Sequence, residues 1–263
     1  MKKRTFRSIS LLLVLCLLLP CIALADTWTC PGCGRANDNS FSYCPICGSS
    51  KKVKSIKVGD IITFGSYPQT KDEVKKPIEW IVLEVQGSKA LIISKYGLDA
   101  KPYNKEEAIV TWEECTLRSW LNNGFLKSAF SAKEREAILT TSVDNSNSQH
   151  YSGYRTDSGY TTKDKIYLLS YKEANQYFDL TYSNKEARVH PTAYAIKNGA
   201  YTESSCKTTD GEVSGWWWLR SPGQYKVHAA AVRANGTLQS YKVRSPYGTV
   251  RPVCWIDLTS DLF

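Results

Sequence analysis

The sequence predicts an α+β protein: a small cysteine-held module followed by one larger domain, with helices early and an antiparallel sheet late. Three observations carry that expectation. Segments with helix-capping signatures lie between residues 111 and 198. The last third is rich in strand patterns around an Asn235-Gly236 turn, the strongest short hairpin signal. Two Cys-x-x-Cys pairs stand near the start.

The elements follow in order. Val58 to Gly65 reads as a strand bounded by glycines. Ile78 to Val85 and Lys89 to Ser94 read as a hairpin turning at Gln86-Gly87-Ser88. Thr111 with Glu114 forms a capping box that opens a helix over Trp112 to Asn122. Ser131 with Glu134 opens a second helix to about Leu139, and Ser170 with Glu173 a third that ends near Phe178. A short helix from Thr192 to Asn198 is stopped by Gly199. Polar stretches at 144–163, 181–188 and 207–214 read as surface loops. Trp216 to Arg220, Val227 to Ala234, Thr237 to Val243 and Gly248 to Ile256 read as strands.

Composition is that of a soluble globular protein, with 42 % hydrophobic and 22 % charged residues in 263. The first 25 residues stand apart. Lys2, Lys3, Arg4 and Arg7 precede an apolar run from Ile9 to Cys21, and Ala23-Leu24-Ala25 is a small-x-small cleavage site. That pattern predicts a signal peptide at 1–25 and a secreted or cell-surface location. An uncleaved anchor fits less well, because Pro20 interrupts a run already shorter than a membrane span. Contact with the membrane is then expected only during export. The formal net charge of +9 falls to +5 once the leader's four Lys/Arg are removed. The remaining excess concentrates in the segment 51–57, read as a linker, and gives no support to nucleic-acid binding.

Nine cysteines are present, and Cys16 and Cys21 belong to the leader. Cys30, Cys33, Cys44 and Cys47 form two knuckles, each followed by glycine. A Cys-x-x-Cys turn aims two thiolates at one point, and two such turns complete a tetrahedron. The expectation is one structural zinc ion in a closed shell; two disulfides are the alternative in an oxidising compartment. The stretch from Trp28 to Gly48 resembles the bacterial zinc-ribbon family, giving a module at 26–50. Cys115, Cys206 and Cys254 are left over. Cys206 and Cys254 could pair, or Cys115 and Cys254 could be buried beside Trp112 and Trp255.

Candidate binding residues come from the last third. On a strand, Trp217 would point away from Trp216 and Trp218, so one face is core; the other is core as well, or it offers an exposed ring for a sugar or peptide. Arg220 and Arg251 are candidates for holding a carboxylate, or for internal ion pairs with Glu79 or Asp257. His228 is the best pocket candidate of the three histidines, and Tyr225 lies beside it. Tyr151, Tyr154, Tyr160 and Asp157 stud the long loop.

Gly59-Asp60 through Phe64-Gly65-Ser66-Tyr67-Pro68-Gln69, Pro77-Ile78-Glu79-Trp80, Thr116 to Asn122, Trp217 to Gly223 and Val250-Arg251-Pro252 together resemble the domain-of-unknown-function family 6273. The resemblance runs from Val58 to Phe263. It implies an exported bacterial protein with a C-type lectin-like fold, similar to that of the formylglycine-generating enzymes. Cys254 departs from the family's small apolar residue. The calcium-ligand motifs of true C-type lectins and the closely spaced reactive cysteines of the formylglycine generators are both missing. No hydrolase elbow, phosphate loop or dinucleotide fingerprint occurs either. The resulting expectation is a non-enzymatic recognition module of the cell envelope, its ligand a glycan, a wall polymer or a protein. An oxidase or hydrolase using Cys254 or His228 is the first alternative, and a structural envelope component the second.

Overall fold

The computed structural model describes residues 27–38, 40–49, 55–154 and 156–263. The expected leader at 1–25 and most of the expected linker at 51–57 lie outside the described residues. The chain divides into two compact units, Met1–Val53 and Lys54–Phe263. In the first, β1 (Thr27–Thr29) and β2 (Ala36–Asp38) form a small antiparallel hairpin.

The second unit is mixed α/β and mostly sheet. One four-stranded antiparallel sheet has the order β15-β5-β4-β3, with β3 Ile61–Pro68, β4 Lys75–Gln86, β5 Lys89–Ser94 and β15 Val253–Asp257. A five-stranded sheet has the order β13-β12-β11-β14-β6, with β6 Asp99–Ala100, β11 Trp217–Pro222, β12 His228–Val232, β13 Leu238–Lys242 and β14 Thr249–Val250. Two expectations need correction here. The helices are not early but central, because the first sheet recruits strands from both ends of the unit. The second sheet is not wholly antiparallel, because β11 and β14 run parallel.

The expected last strand, Gly248 to Ile256, is in fact two strands in two sheets. Pro252 has no N–H to continue a ladder, and Arg251-Pro252 is where the chain crosses. The early chain crosses beside it, between β5 and β6. Hydrogen bonds Ser94 N–H to Pro252 O (3.0 Å) and Leu98 N–H to Val250 O (2.9 Å) tie the two crossings together. Arg251 therefore lies at the seam of the two sheets.

The helices are short: α1 (Thr116–Trp120), α2 (Leu126–Ala129), α3 (Ala132–Ala137), α4 (Tyr171–Phe178) and α5 (Ala193–Lys197). The Ser131 and Ser170 capping boxes form as the sequence predicts. The Thr111 box does not. Trp112 is buried, its Nε1 donating to Asp164 (3.0 Å), and that holds residues 111–115 in turns. The helix starts four residues late, capped by the Cys115 sulfur accepting from Arg118 N–H. It then opens into a wider π-type turn over Leu121–Phe125, where Asn122 bonds Ile166 O and the amides of Lys165 and Ile166.

The hairpin at Asn235-Gly236 is present and tightly specified. Gly236 has φ +90°, and a Cβ there would lie 2.0 Å from Asn184 O. We expect Gly236→Ala to destabilise the full chain by roughly 2–4 kcal/mol, a left-handed penalty added to backbone overlap. Urea unfolding checks it against Gly211→Ala, which shares the positive φ but has open space around it.

Candidate functional site

The described part of the first unit is built as a twofold repeat. Cys30 N–H donates to Arg35 O and Cys44 N–H to Ser49 O, both at 2.8 Å. Gly34 N–H donates to Cys30 O and Gly48 N–H to Cys44 O, both at 2.9 Å. Gly34 and Gly48 have φ of 72° and 71°, a left-handed turn that only glycine takes without penalty. Each knuckle therefore aims its sulfurs alike. All four sulfurs lie within 4.8 Å of one another. Cys30 and Cys47 sulfurs are 3.4 Å apart and those of Cys33 and Cys44 are 3.7 Å apart. Four sulfurs on a metal at 2.3 Å would stand roughly 3.8 Å apart, so the cluster fits a tetrahedral thiolate site. All seven described cysteines are free, so the disulfide alternatives, Cys206–Cys254 included, are not realised. Cys30 and Cys44 are buried with Trp28 in the unit's own small core.

In the second unit the candidate residues do not form one site. Trp216 and Trp218 share a face, ring centroids 4.8 Å apart, and Trp217 points the other way toward Phe178. That is the predicted alternation. Of the two readings of these tryptophans, core on both faces is the one observed, and the exposed ring is not: the three are 4, 0 and 0 % exposed. Both faces of β11 are covered, one by α4 and the other by packed aromatic rings, and Trp217 and Trp218 spend their N–H groups on Ala187 O and Lys101 O.

Trp216 nonetheless reaches the surface as part of a groove. Its ring packs against Tyr241 at 4.2 Å, and the two line an open cavity of about 370 Å³ with Tyr201, Glu203, Arg233 and Asn235. β9 (Glu203–Lys207) with Tyr201 just before it, Trp216 just ahead of β11, the β12–β13 turn and β13 supply these groups. Tyr201 OH donates to Glu203 Oε2 at 2.6 Å and Ser205 Oγ to Oε1 at 3.0 Å, which orients the carboxylate. Aromatic faces beside a carboxylate, a guanidinium and an amide match the amphipathic surface of a sugar. Sequence reading missed Tyr201, Glu203, Arg233 and Tyr241, because their meeting depends on strand pairing; alternation along β13 was the only available signal.

Arg220 is structural. It is buried, and all five N–H groups find acceptors: Asn145 Oδ1, Leu168 O, Asp144 O and both oxygens of Glu173. The expected partners Glu79 and Asp257 are corrected. Glu79 pairs with Lys95 (3.3 Å), and Asp257 accepts from Thr259 N–H. Arg251 is buried with its Nε donating to Ser94 O (2.9 Å).

The exposed Tyr225 and the half-buried His228 form a separate pair with ring centroids 5.0 Å apart. His228 shares a sheet face with Ser240 and Lys242, opposite to Tyr241, so it does not face the groove. Partial burial, then nearby Lys242, lowers its pKa below the ordinary histidine value. Cys254 is fully buried in β15, and burial pushes its thiol far up, which removes it as an accessible nucleophile. Cys115 is likewise buried, its thiol pushed up to about 12. Tyr151, Tyr154 and Tyr171 form a ring cluster, while Tyr160 stands exposed.

Residues 87–258 match the family model described as Domain of unknown function (DUF6273). That stretch is more than half of the chain. The chain belongs to the DUF6273 family. The DUF6273 match begins in the β4–β5 turn, so it takes in the groove, both buried arginines and the seam. A second model, Domain of unknown function (DUF7577), matches residues 26–50, the segment of the four-cysteine cluster. No curated protein and no solved structure matches the chain. Among the described residues no helix is long and apolar enough to cross a membrane.

Proposed function

We propose that this DUF6273 protein is an exported recognition module of the bacterial cell envelope, with a zinc ion organising its first unit and a saccharide or glycan-bearing wall polymer held in the groove beside Trp216. The groove carries the reading: a 370 Å³ opening with two stacked aromatic rings and an oriented carboxylate has the size and amphipathic lining of a small-ligand site. The basic, apolar and small-residue pattern of residues 1–25 supports export. A closed set of four thiolates, with donors at tetrahedral spacing, supports zinc in a structural role. A C-type lectin-like scaffold is part of the proposal, supported by the pairing of the last strand β15 with the early strand β5 around central helices.

Glycan arrays and pull-downs on purified cell walls test the groove. Tyr241→Ala and Tyr201→Ala are expected to weaken binding at least tenfold, about 1.4 kcal/mol, with unchanged unfolding midpoints for Tyr201→Ala. Saccharide binding that survives both substitutions would place the ligand elsewhere and overturn the assignment.

A further inference from the structure

A second cavity, of about 150 Å³, opens at the seam between the two sheets and is walled in part by Arg251, Lys95, Arg188, His190, Asp210 and Glu212. Arg251 packs its guanidinium against the rings of Trp217 (5.0 Å) and Phe178 (5.1 Å). Its Nε is held by Ser94 O, but its buried Nη1 has no hydrogen-bond partner. None of the ion pairs among the described residues involves it. Burial draws its pKa down, to about 9. The contrast with Arg220 is instructive, since there the fold satisfies every donor of an equally buried guanidinium. A buried charge left without a counter-ion is costly, and its natural completion is an anion from outside.

The rest of the wall narrows the choice of anion. Lys95 lies 3.3 Å from Glu79 and 3.6 Å from the exposed Asp210, so its charge is already balanced. His190 Nδ1 lies 2.8 Å from Val213 O, which assigns the proton to that nitrogen. Asp210 and Glu212, with Glu186, set three carboxylates against Lys95, Arg188 and Arg251. Such a balance disfavours a polyanion such as phosphate and favours a ligand carrying one carboxylate and one ammonium. We propose that this cavity binds the α-carboxylate of a small amino-acid residue, the carboxylate on the Arg251 guanidinium and the amine toward Asp210 and Glu212. The ligand is a free amino acid, or a dipeptide whose amino-terminal ammonium reaches the same two carboxylates. This site lies away from the saccharide groove, since Trp217 and Trp216 point to opposite faces, and its failure would leave that reading intact.

The test uses the full chain with alanine, alanylalanine, propionate and inorganic phosphate as probes. Binding is read by calorimetry and by the ¹⁵N shift of Arg251 Nε. Alanine or alanylalanine is expected to bind, to shift the Arg251 signal and to raise the unfolding temperature. Tighter binding of alanylalanine identifies a dipeptide, and tighter binding of alanine a free amino acid. Arg251→Met should weaken binding at least 100-fold. Thr209→Trp, at an exposed position of the wall, should weaken it at least tenfold without changing the stability of the free protein. It keeps the test decisive should Arg251→Met fail to fold. No binding of either amino-acid probe, phosphate binding as tightly, or affinity undiminished in Thr209→Trp would overturn the proposal.

Discussion

Replacing Arg220 by methionine is expected to lower the stability of the full chain by roughly 3–5 kcal/mol, the range for removing one partner of a buried ion pair. For a domain of this size that is a fall of roughly 6–20 °C in melting temperature. The size follows from what the guanidinium holds. It reaches from β11 to Asn145 Oδ1 and Asp144 O after β7 (Thr141–Val143), to Leu168 O, and to both carboxylate oxygens of Glu173 on α4. Glu173 also accepts Ser170 N–H (2.9 Å) in the capping box, so the same carboxylate closes the helix and the ion pair. Removing Arg220 strands two buried acceptors, Asn145 Oδ1 and Leu168 O, and the half-buried Asp144 O at once. Lysine would restore the charge but not the planar fork, and Arg220→Lys should recover less than half of the loss. Glu173→Gln, at a partly exposed side chain, should cost less than Arg220→Met. Urea unfolding of the three variants checks the order. A loss under about 1 kcal/mol for Arg220→Met would show that this network is not what ties β11 to α4.

Cys44→Ser is expected to abolish metal binding by the first unit while leaving the second unit folded. The core of Trp28, Cys30 and Cys44 is separate from the main core, and so small a unit cannot compensate for chain entropy by burial alone. In comparable four-ligand modules the metal supplies about 10–16 kcal/mol of apparent binding energy, which is folding energy. Native mass spectrometry of the wild-type chain should find one zinc ion, and Cys44→Ser should find none. Protease should then cut the first unit rapidly while the unfolding midpoint of the second is unchanged. Cys115→Ser serves as the control, since that thiol is buried in the main core. Wild-type protein isolated without metal, its first four sulfurs oxidised in pairs, would contradict the assignment.

What the residues determined alone is what depends on near neighbours in the chain. The Cys-x-x-Cys-Gly knuckles, the serine capping boxes at Ser131 and Ser170, the Gly87 and Gly236 hairpins and the alternation of Trp216, Trp217 and Trp218 each need only a few consecutive residues, so local chemistry specifies them. The tertiary structure alone decided where those pieces went. Thr111 has a sound capping box, yet Asp164, 52 positions on, takes Trp112 and delays the helix. Pro252 reads as an ordinary strand residue until it marks the crossing between sheets. Arg220 and Arg251 look alike in sequence, but one meets Glu173 and the other meets ring faces and a carbonyl. The groove is assembled from residues spread over positions 201–241. Partners brought together by strand pairing and burial are set by the free energy of the whole chain, and no short window of sequence contains that information.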